Sequence, residues 1–139
     1  MDSDETRSPP AFGRTVPAVA ENVAPIRHAV VELAMRCGAE EHVCTDLALA
    51  VGEACANVVV HAYPPGDIGP LVVHAEIHGD DILISVIDQG QGMTPRPDSP
   101  GLGLGLPLIA NLTDNLELRD GPDGQGTELV MSFGLKRAA

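Results

Sequence analysis

The chain has almost no aromatic side chains: no Trp, one Tyr and two Phe in 139 residues. Its core must therefore be built from Val, Leu, Ile and Ala. The stacking platforms that hold single-stranded nucleic acid are missing. Positive charge is scarce too. Eight Lys and Arg face 20 Asp and Glu, giving a net charge of −12. That balance excludes a broad basic surface for nucleic acid or an anionic membrane. Cysteine is sparse and odd in number. Cys37, Cys44 and Cys55 lack metal-ligand spacing. They fall in apolar helical patterns, as expected of reduced, buried thiols. No apolar run reaches the ~18 residues of a membrane helix, and the polar start carries no signal core. These absences point to a soluble, cytoplasmic protein.

What is present suits a single domain. At 139 residues, with 44% hydrophobic content, the chain can bury a core without staples. Residues 1–10 read as a disordered tail and residues 11–136 as the folded domain. A short strand is expected over 12–19, with Pro17 suited to an edge. Asn22 is placed to cap a helix over 23–37, ended by Gly38. Its apolar face is Val23, Ile26, Val30, Leu33 and Met35. A second helix is expected over 40–62, stopped by Pro64-Pro65-Gly66. Residues 71–77 alternate as a half-buried strand. Gly79-Asp80 is a hairpin turn, and 82–87 is an almost wholly apolar return strand. A Gly- and Pro-rich stretch precedes a third helix over 105–113, with Pro107 in its first turn. Strands over 116–119 and 127–133 end the domain. The fold class is α+β, a two-layer sandwich with helices on one face of a mostly antiparallel sheet.

The second helix is apolar nearly all round, including Leu49 and Val60, so its polar exceptions are informative. Asp46, Glu53, Asn57 and His61 are spaced by seven, four and four residues. At helical pitch they form one stripe within about 80° of arc. A solvent-facing stripe would satisfy that pattern. A functional reading gives two of the residues separate roles. The amide oxygen of Asn57 can bind Mg²⁺, which takes hard oxygen ligands and bridges phosphates. Glu53, one turn earlier, can act as general base on a hydroxyl or a water. Asp46 is expected to be solvated. His61 is expected to bond locally at the helix end, beside the same pocket.

Asp88 follows the apolar return strand and begins Asp88-Gln89-Gly90-Gln91-Gly92. A carboxylate there can accept a hydrogen bond from an adenine amine, and the two glycines let backbone approach a flat ring. A plain turn is the competing explanation. Gly101-Leu102-Gly103-Leu104-Gly105 then leads into the third helix. Gly-rich backbone at a helix N-terminus is an anion site, with free N–H groups and a favourable dipole. This matters because the single Lys, Lys136, is far off in sequence. The segment lacks Gly-Lys-Ser/Thr and so is no P-loop, and Leu106 stands where a dinucleotide fingerprint needs its third glycine. Between the glycine segments, residues 93–100 carry three prolines and read as a lid, with Met93 at its start and Arg96 its single base.

Taken in order, Glu53/Asn57, Asp88-x-Gly90-x-Gly92, Gly101-x-Gly103-x-Gly105 and Gly126-Thr127 resemble the nucleotide boxes of the GHKL ATPases, the superfamily of gyrase, histidine kinases and MutL. Phe12-x-x-Thr15-x-Pro17-Ala18, Val23-x-x-x-Arg27, Leu49-x-x-x-Glu53-x-x-x-Asn57 and His61-Ala62-Tyr63 are similar to the free-standing bacterial anti-sigma factors of that superfamily, which are serine-protein kinases. The resemblance covers about residues 12–134. It implies a Bergerat-type sandwich that binds ATP and Mg²⁺. Glu53 would be the general base, Asn57 the Mg²⁺ ligand and Asp88 the adenine acceptor. Gly90 and Gly92 would line the base pocket, with Met93 beside them. Gly101, Leu102, Gly103, Leu104 and Gly105 would approach phosphates, and Thr127 would join the adenine bonds. It further implies a homodimer that holds a sigma factor and phosphorylates a serine or threonine of an antagonist protein. The alternative is a non-catalytic, nucleotide-dependent module that sequesters a transcription regulator. A two-component histidine kinase is a weaker fit, because no helix with a phosphoacceptor His precedes the domain.

Overall fold

The computed structural model describes residues 10–90 and 102–138, with residues 102–104 described by backbone alone. The elements are β1 (Ala11–Pro17), α1 (Val23–Arg36), α2 (Glu41–Asn57), β2 (Pro70–His78), β3 (Asp81–Asp88), α3 (Leu102–Leu112), β4 (Asn115–Asp120) and β5 (Thr127–Gly134). Among the described residues the strands form one sheet in the order β1-β2-β3-β5-β4, with every neighbour antiparallel. The expected α+β sandwich is the fold observed.

Alternation places β2 and β3. Leu71, Val73, Ala75 and Ile77 of β2 are buried, while His74, Glu76 and His78 face out. Ile82, Ile84 and Val86 of β3 continue that inner face, as do Leu129, Met131 and Phe133 of β5. Ile26, Val30 and Leu33 of α1, Val43, Leu47, Val51 and Ala54 of α2, and Ile109 of α3 close the core from the other side. Each fully buried aliphatic side chain contributes about 1.5–3 kcal/mol, so the core is mainly aliphatic as expected, with Phe133 as its fully buried aromatic. Pro17 ends the edge strand β1, where its missing N–H breaks no ladder bond toward a further strand. The β2–β3 hairpin turns at Gly79, whose φ of +61° suits glycine.

Several helix details depart from expectation. Asn22 does not cap α1: it lies in a 3-10 turn, Ala20–Asn22, with helical φ and ψ, and its side chain donates to the Pro17 carbonyl at 2.8 Å. A residue already helical cannot turn its side chain back onto the first free N–H groups. Met35 is 62% exposed, because the buried stripe runs through Ile26, Val30, Leu33 and Ala34, and Met35 falls on the opposite side. The second helix is α-helical to Asn57 and then widens into a π-helical turn, Val58–Ala62. Leu49 and Val60 are 52% and 66% exposed, so that helix is not apolar all round in use. Glu41–Ala62 is long and apolar enough to cross a membrane by composition, with a mean hydropathy of 1.6. In this fold that apolarity packs against α1, α3 and the sheet. Finally, α3 begins at Leu102, so Pro107 sits inside the helix and not in its first turn. Lacking an N–H, Pro107 leaves the Gly103 carbonyl without its usual i+4 donor.

Candidate functional site

The sequence-singled residues converge where α2, the first turn of α3 and the ends of β3 and β5 meet. Asp88 ends β3 and is only 1% exposed. Its Oδ1 accepts the backbone N–H of Gly90 at 2.9 Å. Its Oδ2 is buried and has no partner among the described residues. Burial raises the Asp88 carboxyl above its ordinary range, and the Gly90 N–H partly offsets that. A buried acceptor left open among the described residues can take a donor from a ligand.

Close backbone approach shapes the walls. A Cβ on Gly90 would collide with the Ala62 carbonyl oxygen, and one on Gly126 with the Asp88 carbonyl oxygen. Gly126 also has φ of +76°, so glycine is required there on two counts. Thr127, 6% exposed, pairs with Asp88 across the β3–β5 ladder. Tyr63 supports the same corner. Its hydroxyl donates to the Pro70 carbonyl at 2.5 Å and accepts the Gln89 N–H at 2.9 Å. Burial raises the Tyr63 phenol, the Gln89 N–H lowers it, and the nearby Asp88 raises it again.

The second wall is helical. Glu53 and Asn57 lie one turn apart on α2, and the first turns of α3 press against them. A Cβ on Gly105 would stand 2.5 Å from Nδ2 and 3.3 Å from Cγ of Asn57, and 3.0 Å from Oε2 of Glu53. Asn57 is 5% exposed, and its Nδ2 is a second buried atom with no partner among the described residues. The first four backbone N–H groups of α3 have no acceptor within the helix, so an end able to take an anion lies beside this wall at Gly105. Arg27 of α1 packs on α2 at Gly52, next to Glu53, with its Nη1 3.4 Å from where a Cβ on Gly52 would lie.

The structure therefore brings together Glu53, Asn57 and Gly105 on one side, and Asp88, Gly90 and Thr127 on the other. Gly92, Met93, Gly101 and the expected lid with Arg96 lie outside the described residues, as do the side chains of Leu102 and Leu104. The backbone of Gly103 falls within the first turn of α3. His61 sits half-buried on the π turn and bonds to none of the described residues, so its expected local partner is absent among them. The wider turn takes it off the α-helical phase of Glu53 and Asn57. The Asp46 side chain is 34% exposed, so it is partly solvated as expected, but it also pairs with Arg137 at 2.5 Å. Cys55 is buried and its thiol is pushed up to about 12, so it is no nucleophile.

The sequence marks Gly126 and Tyr63 only as members of the resemblance motifs, without a role of their own, and Arg137 not at all. Tyr63 is the single tyrosine of the chain, and a lone buried-capable hydroxyl before Pro64-Pro65-Gly66 is the signal available for it. Nothing local marks Arg137.

The donor set fits a purine nucleotide. Asp88 Oδ2 can accept from an exocyclic amine, glycine backbone can lie against a ring, and the end of α3 can take phosphates. Among the described residues no three His, Cys, Asp or Glu side chains gather as a metal cluster. A cation here would instead be held by the Asn57 amide oxygen together with phosphate and water. That is how Mg²⁺ is commonly bound beside a nucleotide.

Comparison with known proteins bears on the family and the fold. The family described as histidine kinase-like ATPase domain matches residues 16–133. A serine-protein kinase RsbW of Halalkalibacterium halodurans is 35% identical, over 93% of this chain and 86% of its own length. An anti-sigma F factor of Clostridium beijerinckii is 33% identical, over 62% of this chain and 67% of its own. A crystal structure of the RsbU and RsbW domains of a Mycobacterium tuberculosis protein superposes with a TM-score of 0.72 at 26% identity. It matches 94% of this chain, which spans 34% of that longer protein. With the family matched over most of its length and the fold shared, this chain belongs to the histidine kinase-like ATPase domain family.

Proposed function

We propose that this protein is an anti-sigma regulator that uses ATP to phosphorylate a serine or threonine of an antagonist protein. The observation that supports the reading is a pair of buried polar atoms without partners among the described residues, Asp88 Oδ2 beside Gly90 and Asn57 Nδ2 beside Gly105. The names of the relatives, a serine-protein kinase and an anti-sigma factor, suggest the reaction class and a sigma factor as partner.

In this reading adenine donates its amine to Asp88, with Gly90 and Gly92 against the ring and Thr127 at its edge. The triphosphate runs toward the N-terminal turns of α3, where backbone N–H groups stand in for lysine. Mg²⁺, held by the Asn57 oxygen, would neutralise charge on the phosphates. Glu53 accepts the proton of the antagonist's hydroxyl as that oxygen bonds to the γ-phosphorus. The bond from the γ-phosphorus to its bridging oxygen breaks, and ADP leaves. The bound sigma factor follows the name of the anti-sigma relative; the homodimer and the cytoplasmic setting are carried by the resemblance alone.

The test is phosphotransfer from labelled ATP to candidate antagonist proteins, with wild type and Glu53→Ala. Expected is transfer by the wild type, loss of about 10²–10⁴-fold in the variant, and ATP binding kept in both. Wild-type ATP binding without transfer to any antagonist would leave sequestration without catalysis as the function.

A further inference from the structure

Arg137 lies at the opposite end of the molecule from Asp88, yet it ties together both helices of the phosphate wall. Its Nη2 bonds Oδ2 of Asp46, in the second turn of α2, at 2.5 Å. Its Nη1 donates to the Leu112 carbonyl, the last of α3, at 3.1 Å, and to Oδ1 of Asp114 at 3.2 Å. The guanidinium lies 5.9 Å from the Phe133 ring centroid. The segment that carries it is itself pinned. His42 Nε2 donates to the Arg137 carbonyl at 2.7 Å, and the Leu135 N–H donates to Asp80 at 2.8 Å.

These contacts set the geometry of a lever. The start of α2 meets the end of α3 at Arg137, and the end of α2 meets the start of α3 at Gly105. The two helices thus run antiparallel and touch at both ends. About seven residues of α3, roughly 10 Å at helical rise, separate the two contacts. At the Gly105 end nothing but close packing against Asn57 and Glu53 is seen among the described contacts. At the far end a charged, multidentate clasp also caps the C-terminal dipole of α3. Three acceptors on a half-buried planar fork fix orientation as well as distance.

We infer that Arg137 is a positioning residue for the phosphate end of the nucleotide site, acting through α3. It holds the far end of that helix on α2, so the anion-binding first turn stays aimed at the Glu53–Asn57 wall. The inference rests on the ATP reading above, and it predicts a division that general destabilisation does not. The adenine corner is built from Asp88, Gly90, Thr127 and Tyr63, and none of the described bonds of Arg137 reaches these residues; Arg137 meets β5 at its far end, at Phe133 and Gly134. Losing the clasp should therefore spare nucleoside binding and weaken the part of the affinity that phosphates add.

The experiment is calorimetry with adenosine and with Mg-ATP on wild type, Arg137→Ala and Arg137→Lys, well below each variant's unfolding temperature. The expected result is an unchanged adenosine affinity in all three. The ratio of ATP to adenosine affinity should fall about tenfold in Arg137→Ala and recover in part with Lys, which restores charge but not the fork. Amide exchange over residues 105–112 of the unliganded protein should rise in the Ala variant. If Arg137→Ala does not fold, Asp46→Ala removes the α2 arm alone and is read on the same ratio. An unchanged ratio, or equal weakening of both ligands, overturns the inference while leaving the ATP reading standing. A wild type that binds no ATP overturns both.

Discussion

A β-carbon on Gly105 would stand 2.5 Å from Nδ2 of Asn57. Gly105 is not in the left-handed region, so the backbone would accept alanine and the objection is purely one of space. Gly105→Ala gains about 1 kcal/mol of helix propensity and costs about 1–3 kcal/mol of overpacking. Because the displaced groups are Asn57 and Glu53, ATP affinity should fall more than stability does. Calorimetry beside thermal unfolding checks this, and a lowered melting temperature with unchanged affinity would count against the site.

Asp88→Asn keeps the shape and changes the chemistry. An amide oxygen can still accept the Gly90 N–H, but the amide nitrogen then meets the adenine amine, donor against donor. ATP affinity should drop by about 1.5–3 kcal/mol, the scale of a hydrogen bond to a charged group.

The same substitution should alter the dependence of stability on pH. Burial raises the Asp88 carboxyl above its ordinary value of 3.8. Between that value and the raised one, the folded chain holds a proton that the unfolded chain has released. The contribution of this group to stability is therefore greatest at acid pH and is lost as pH rises through the raised value. Denaturant unfolding from pH 4 to 7 should show that loss in wild type and not in Asp88→Asn. Parallel profiles would show that Asp88 ionises as it does in the unfolded chain.

Tyr63→Phe removes one hydroxyl and two hydrogen bonds, to Pro70 and from Gln89. The Gln89 N–H can reach water, so the cost should lie near the lower end of about 1–3 kcal/mol. Loosening Gln89 also loosens the Asp88–Gly90 turn. Adenosine affinity should weaken alongside ATP affinity, since both depend on that corner.

Chelating divalent cations should weaken ATP binding by wild type far more than adenosine binding. Asn57→Ala should shrink that difference, because the amide oxygen is the proposed protein ligand. Titrations with and without a chelator decide the point, and an equal chelator effect in both proteins would remove Asn57 from the metal's coordination.

What the sequence made legible was whatever repeats at short range. Leu71, Val73, Ala75 and Ile77 alternate, and their inward face followed. Glu53 and Asn57 are four residues apart on a helix, so one cleft wall could be drawn. Asp88 after an apolar run could be placed at the end of a central strand. Contacts between distant segments left no local trace. Asp46 and Arg137 are 91 residues apart, and periodicity alone sends Asp46 to solvent. Tyr63 and Gln89 are 26 apart. Asn22 has the chemistry of a cap, but the 3-10 turn before α1 makes that position helical. Apolar residues mark Leu49, Val60 and Met35 as core, yet helical phase leaves all three exposed.

The π turn at Val58–Ala62 acts as a rotational offset between the two halves of the cleft. Each residue in it advances the chain by a smaller angle than in an α-helix. The carbonyl of Ala62 therefore reaches Gly90, and the ring of Tyr63 reaches Gly69, at a phase that a continuous α-helix from Glu53 would miss. Chain length between Asn57 and Tyr63 is thus a setting in itself. Conservative substitutions within those five residues keep it. Deleting one of Val58, Val59 or Val60 would turn the adenine corner relative to the phosphate wall without touching Glu53, Asn57, Asp88 or Gly90.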